Sequence, residues 1–153
     1  MKFSTRQDTD LPAEELFRAI SNFGSIERLL VRRGASVRRL DALAQPGPGM
    51  RWQVGFDWRG RHRELDLELV RLDRPELVAI EGSSDQFNLA LRMTVVALTP
   101  GKSRLIFEAE VLPRGMKARL LLQTAKLGKA QLDRKFAERI GDFVRRMAAE
   151  AMA

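Results

Sequence analysis

Hydrophobic and polar positions alternate through most of the chain, and a helical spacing replaces the alternation near its end. Residues 2–9, KFSTRQDT, have the two-residue period of a strand. In the stretch DLPAEELFRAISNF that follows, Asp10 is placed to cap a helix and Pro12 suits its first turn. Glu14 and Glu15 suit the positive end of its dipole, and Leu16, Phe17 and Ile20 give it one apolar face. SIERLLVRRG predicts a second short helix stopped by Gly34, with a corner at residues 22–24 between the two.

From Ala35 the period returns to two. SVRRLDAL predicts a strand, and AQPGPG at 44–49 is loop punctuation. MRWQVGFDW then sets Trp52, Val54, Phe56 and Trp58 on one face and Arg51, Gln53, Gly55 and Asp57 on the other. RGR at 59–61 is a hairpin turn, and RELDLELVRL returns with Leu65, Leu67 and Leu69 opposite Glu64, Asp66 and Glu68. PELVAIEGS is a shorter strand. DQFNLALRMTVVALT carries Phe87, Leu89, Leu91, Met93 and Val95 on one face, and RLIFEAEVLP carries Leu105, Phe107, Ala109 and Val111.

From Lys117 to Ala149 the spacing is helical. Leu121, Ala125, Gly128, Leu132, Phe136, Ile140, Phe143 and Met147 follow steps of three and four, which predicts one long helix with a single inward stripe. The order is strand, two short helices, six strands, one long helix. Successive strands with short turns make an antiparallel sheet whose apolar face needs cover. The terminal helix is the one element long enough to supply it.

Three stretches carry a family resemblance: DLPAEELFRAISNF at 10–23, the glycine-rich PGPGMRW at 46–52, and the closing helix at 117–149. Together, and in this order, they resemble the START-like superfamily, also called SRPBCC, over the whole chain. The resemblance implies an α+β helix-grip fold in residues 1–153 as a single domain. Seven antiparallel strands would curve around the long C-terminal helix, with two short helices between strands 1 and 2. It also implies a mostly apolar pocket between sheet and helix. Members bind lipids, sterols, quinones or polyketides, and a minority catalyse cyclisation or dehydration.

Glycine inside a helix costs about 1 kcal/mol relative to alanine, so Ala125 and Gly128 on the inward stripe need a reason. Either they let the sheet approach the helix closely, or they leave volume for a ligand. Both readings place Gly128 against the sheet. The ligand reading takes Trp52, Phe56, Leu67, Leu91, Met93 and Phe107 as the sheet wall and Ala125, Gly128, Leu132 and Phe136 as the helix wall.

Composition narrows the chemistry. The 153 residues are 44% hydrophobic and 31% charged, in the range of a globular domain that buries a core. With no cysteine, one histidine and no tyrosine, no thiolate, His-based triad or metal cluster is supported, and no cofactor is expected. His62 follows the hairpin turn on the charged face. Glu64, Asp66, Glu68, Glu108 and Glu110 share that outer face, whereas Glu81 lies on a strand too weakly alternating to place. Arg71 has the parity of Leu65–Leu69 unless a bulge turns it out. No apolar run reaches the roughly 20 residues of a membrane span, and the start MKFSTRQDTDL lacks an apolar signal core, so a cytoplasmic protein is expected.

The net charge of +7 is uneven: residues 114–153 hold 10 Lys+Arg and 4 Asp+Glu, against 17 and 16 in residues 1–113. Arg119, Lys126, Arg134 and Arg145 fall opposite the apolar stripe, and Lys135, Arg139 and Arg146 flank it. With its aromatics on inward parities, the chain suits transient docking on an anionic membrane surface better than nucleic acid. The expected function is non-catalytic binding or transport of a hydrophobic small molecule or lipid. Two alternatives are a cyclase or dehydratase, which a polar pair converging inside the cavity would favour, and an adaptor that uses the basic helix, which a collapsed core would favour.

Overall fold

The computed structural model describes residues 1–58 and 60–152. Seven strands form one antiparallel sheet: β1 (Lys2–Thr9), β2 (Ser36–Arg39), β3 (Arg51–Trp58), β4 (Arg61–Asp73), β5 (Leu77–Ser83), β6 (Phe87–Thr99) and β7 (Lys102–Pro113). Their order across the sheet is β1-β7-β6-β5-β4-β3-β2, so the first strand closes onto the last and every other neighbour is a sequential hairpin. Helices α1 (Ala13–Ile20) and α2 (Phe23–Arg32) lie between β1 and β2. After β7 come α3 (Met116–Ala125), a 3₁₀ turn (Lys126–Gly128) and α4 (Lys129–Met152).

The two-residue period sets the register. Trp52 pairs with Leu67, Val54 with Leu65, and Met93 with both Val78 and Phe107, so the apolar sets share the inner face. A bulge at Val70, between Leu69 and Arg71, flips the parity of β4. Arg71 therefore points outward and pairs with Asp73. Glu81 sits opposite Glu68 and Ala90 on the outer face, and it is exposed. His62 is also outside, 3.2 Å from Asp57 and 3.5 Å from Glu64.

Leu16 and Ile20 of α1 and Leu69 and Leu105 of the sheet are fully buried, each contributing about 1.5–3 kcal/mol over an exposed side chain. They belong to one core that runs from α1 under α4 to Trp52 and Val54. Ser103 satisfies itself inside that core by donating to the Leu11 carbonyl at 2.7 Å.

Three local expectations are corrected. Pro12, not Asp10, occupies the cap position of α1, and Asp10 pairs with Lys102 at 3.7 Å. The strand expected over SVRRLDAL stops at Arg39: Leu40 N–H donates to the Arg51 carbonyl at 2.9 Å, and beyond it the Asp41 carboxylate accepts from Leu43 N–H at 3.0 Å and Arg51 N–H at 2.8 Å. In the RGR turn Gly60 has φ 73°, a left-handed value that favours glycine, while Arg59 lies outside the described residues.

The third correction concerns the closing helix, which is interrupted by the 3₁₀ turn at residues 126–128. Gly128 lies in that turn, exposed, with nothing within 4 Å of where a Cβ would stand. It faces water, not the sheet. The close approach expected there occurs at Gly141, which is buried where α4 crosses β1. A Cβ at Gly141 would lie 3.2 Å from Gln7 Oε1 and 3.3 Å from an Arg145 nitrogen. Gln7 itself donates to the Ala137 carbonyl at 3.2 Å, tying strand to helix.

Candidate functional site: an apolar hollow under the second helix

The inner faces of β2–β7, the inward side of α2 and Phe143 of α4 line a half-open hollow of about 420 Å³. Its accessible wall is apolar throughout. The sheet supplies the floor: Trp52, Val54 and Phe56 from β3, Leu65 and Leu67 from β4, Ile80 from β5, Leu89, Leu91 and Met93 from β6, and Phe107 from β7. Phe23, Ile26 and Leu30 of α2 form the roof, with Ala35 and Val37 at the side. Phe56 is 37% exposed and stands at the rim. The groove of about 350 Å³ between α1, α2 and the end of α4 is different in kind, because charged side chains from Glu15, Arg18, Arg32, Arg146 and Glu150 line it.

Alternation places the floor residues, and small neighbours give them room. Leu67 lies across Gly82, where a Cβ would come within 2.7 Å of Leu67 Cδ2. Leu67 can therefore lean over the adjacent strand and still present its edge to the hollow. Helix α2 is held over the sheet by ring contact and a hydrogen bond. Phe23 and Trp52 have centroids 5.5 Å apart, and Trp52 Nε1 donates to Glu27 Oε1 at 2.7 Å. Glu27 is the only ionisable residue among the described lining residues. Its bond to the indole satisfies the one polar atom of a tryptophan that is only 5% exposed.

Behind Trp52 lies a charged anchor. The Arg39 guanidinium stacks 5.8 Å from the indole centroid and donates to both oxygens of Asp41, at 2.8 Å and 2.6 Å. Asp41 is held well below the usual carboxylate range, first by the Arg39 hydrogen bond and then by the backbone N–H groups of Arg51 and Leu43. The same pairing raises Arg39. These bonds fix the glycine-rich loop to the start of β3, and Met50 buries beside Trp52 in the core. At the opposite end of β3, Arg63 shares the inner-face register with Phe56, and its guanidinium carbon is 5.5 Å from the Trp58 ring centroid. Among the described residues no group of His, Cys, Asp or Glu is arranged to hold a metal ion.

All six sheet residues anticipated from the sequence, Trp52, Phe56, Leu67, Leu91, Met93 and Phe107, come together in this hollow. The four helix residues do not line it. Gly128 is exposed in the 3₁₀ turn, Leu132 is 36% exposed, and Ala125 is half-buried on the packed side of α3. Phe136 packs its ring against Phe3 at 5.7 Å and Phe107 at 5.6 Å, filling the space beside the hollow. The cause is the break after Ala125: it ends the inward stripe, which resumes at Phe136 and reaches the hollow only at Phe143.

Sequence reasoning missed the roof. Phe23, Ile26 and Leu30 have helical spacing, and that pattern was the available signal. The corner expected at 22–24 set Phe23 outside the second helix, whereas α2 begins at that residue.

No family model matches the chain, and no curated protein matches it. Solved structures do. The Zhui aromatase/cyclase from Streptomyces sp. R1128 superposes with a TM-score of 0.67 at 12% identity, over 99% of this chain and 93% of that one. Norcoclaurine synthase from Thalictrum flavum gives 0.68 at 10% identity, over 98% and 87%. A START superfamily protein from Mycobacterium smegmatis gives 0.57 at 14% identity, over 91% and 98%. At such identities the likeness is one of fold. The sheet order, the paired short helices and the long closing helical segment place this chain in the helix-grip fold of the START-like, SRPBCC-type proteins.

Proposed function

We propose that the protein binds an apolar small molecule or lipid in the hollow beneath α2 and carries it without transforming it. The observation that carries this reading is an apolar space of about 420 Å³ inside a curved sheet. Engineered apolar cavities of about 150 Å³ stay dry and take up benzene, so this volume suits roughly three ring-sized units or an acyl chain of similar bulk. Water gains no hydrogen-bond partners there, and an apolar guest gains contact on several sides.

The non-catalytic reading rests on the lining. General acid–base work needs a polar group aimed at the reacting atoms. The ionisable lining residue, Glu27, is engaged by Trp52 Nε1 at the wall. The cyclase or dehydratase alternative would need polar groups converging on the guest, and the accessible wall supplies none.

Gentle native mass spectrometry of freshly purified protein, followed by organic extraction, tests the reading. A bound apolar compound that extraction removes, with rebinding of a neutral three-ring fluorophore such as N-phenyl-1-naphthylamine, is the expected result. Failure of the stripped protein to bind the fluorophore would overturn it.

A further inference from the structure

The outward face of α3 and the turn after it groups several of the exposed large apolar side chains of the molecule. Helix α3 rests on the end of β7 with Ala118 buried and Leu122 and Ala125 half-buried. Most of its large apolar side chains point the other way. Met116 is 68% exposed, Leu120 56% and Leu127, in the 3₁₀ turn, 89%. These positions, i, i+4 and i+11, lie along one side of a helix. Lys117 flanks this ridge on one side, and Arg119 and Lys126 flank it on the other. All three cations are exposed, and none is in an ion pair among the described residues. Residues 116–135 hold six Lys+Arg and one Asp.

We propose that the outward face of α3 and the following turn is a docking surface for an anionic lipid bilayer. A helix with an apolar ridge between basic margins lies in the plane of a membrane interface, with leucines in the acyl boundary and cations among the head groups. Charge selects the occupant. The charged residues that border the ridge are all cations, which suits a sheet of phosphate groups. A second copy of this face would bring those same cations into opposition. The proposal deepens the carrier reading by naming where an insoluble cargo would be exchanged. It is observable with an empty hollow, so either can fail without the other.

Flotation with vesicles tests it. The intact protein is expected to float with vesicles of phosphatidylcholine containing phosphatidylglycerol, less with phosphatidylcholine alone, and less as salt rises. The Leu120→Ser, Leu127→Ser double variant is expected to lose flotation by about tenfold or more, because binding scales with the buried apolar area. Arg119→Glu and Lys126→Glu are each expected to weaken it by about fivefold or more on the anionic vesicles. All of these side chains are exposed, so thermal unfolding and N-phenyl-1-naphthylamine binding should remain at the parent values. Absence of flotation at low salt would overturn the proposal, as would flotation indifferent to the serine variant. A concentration-dependent dimer dissolved by Leu127→Ser, without vesicle binding, would overturn it in favour of a second copy.

Discussion

Replacing Leu91 with phenylalanine separates an open hollow from a packed core by the sign of one number. Leu91 lies mid-floor, between Ile80 and Ala109 on the neighbouring strands, and faces the hollow. Phenylalanine adds three carbon atoms at that point. If they enter empty apolar space, each contributes at most about 0.7 kcal/mol, somewhat less than a buried CH₂, for a gain of at most about 2 kcal/mol. If the interior is already filled, the same atoms force off-rotamer side chains and cost about 1–3 kcal/mol. For a chain of this size 1 kcal/mol moves Tm by about 2–4 °C, so the expected rise is up to about 4–8 °C. Differential scanning calorimetry of the ligand-stripped protein reads this directly. N-Phenyl-1-naphthylamine titration should show weaker binding in the same variant, because ring and probe compete for one space. A lower Tm together with unchanged probe binding would refute the placement of the hollow.

Two glycines and one carboxylate give further tests. Gly128→Ala should leave probe affinity unchanged and stabilise by up to about 1 kcal/mol, since the added methyl meets nothing, whereas Gly141→Leu should destabilise by about 1–3 kcal/mol by pressing on Gln7 and Arg145. Urea midpoints that move alike in the two variants would contradict the assigned helix orientation. Asp41 is held below its ordinary pKa, chiefly by Arg39, so its contribution is fully present above about pH 5 and is lost as pH falls from the ordinary aspartate value, about 3.9, through the lowered one. Asp41→Asn should therefore be less stable than the parent at neutral pH and should flatten the acid limb of a urea-midpoint-against-pH curve. An acid limb of unchanged slope would show that Asp41 is not the anchor.

The sheet was legible because its code is short-range. Alternation in MRWQVGFDW and RELDLELVRL fixes which side chains share a face, and all six anticipated floor residues followed from parity. The last helical segment was legible only in its second half. From Phe136 onward the stripe turns inward as expected, with Phe136, Ile140 and Phe143 half-buried and Met147 buried. In α3 it does not. The helical spacing set Leu121 inside with Ala125 and Gly128, but the contact on β7 accepts Ala118 and leaves Leu121 47% exposed. Shape at a tertiary contact decided that orientation, and a one-dimensional pattern does not encode it. The same limit hid the roof: the spacing of Phe23, Ile26 and Leu30 gives α2 an apolar face, but only the fold sets the distance between that face and the sheet. Asp41 was hidden for a related reason, since its three donors are brought together by a ten-residue loop.

The most direct measurement is a crystal of the ligand-stripped protein under xenon pressure. Xenon enters dry apolar space and leaves filled interiors empty. Electron density for xenon against Ile80, Leu91 and Phe107, beneath α2, is the expected outcome. A crystal in which Phe56 and Phe143 swing in to occupy that volume, with no xenon between α2 and the sheet, would contradict it.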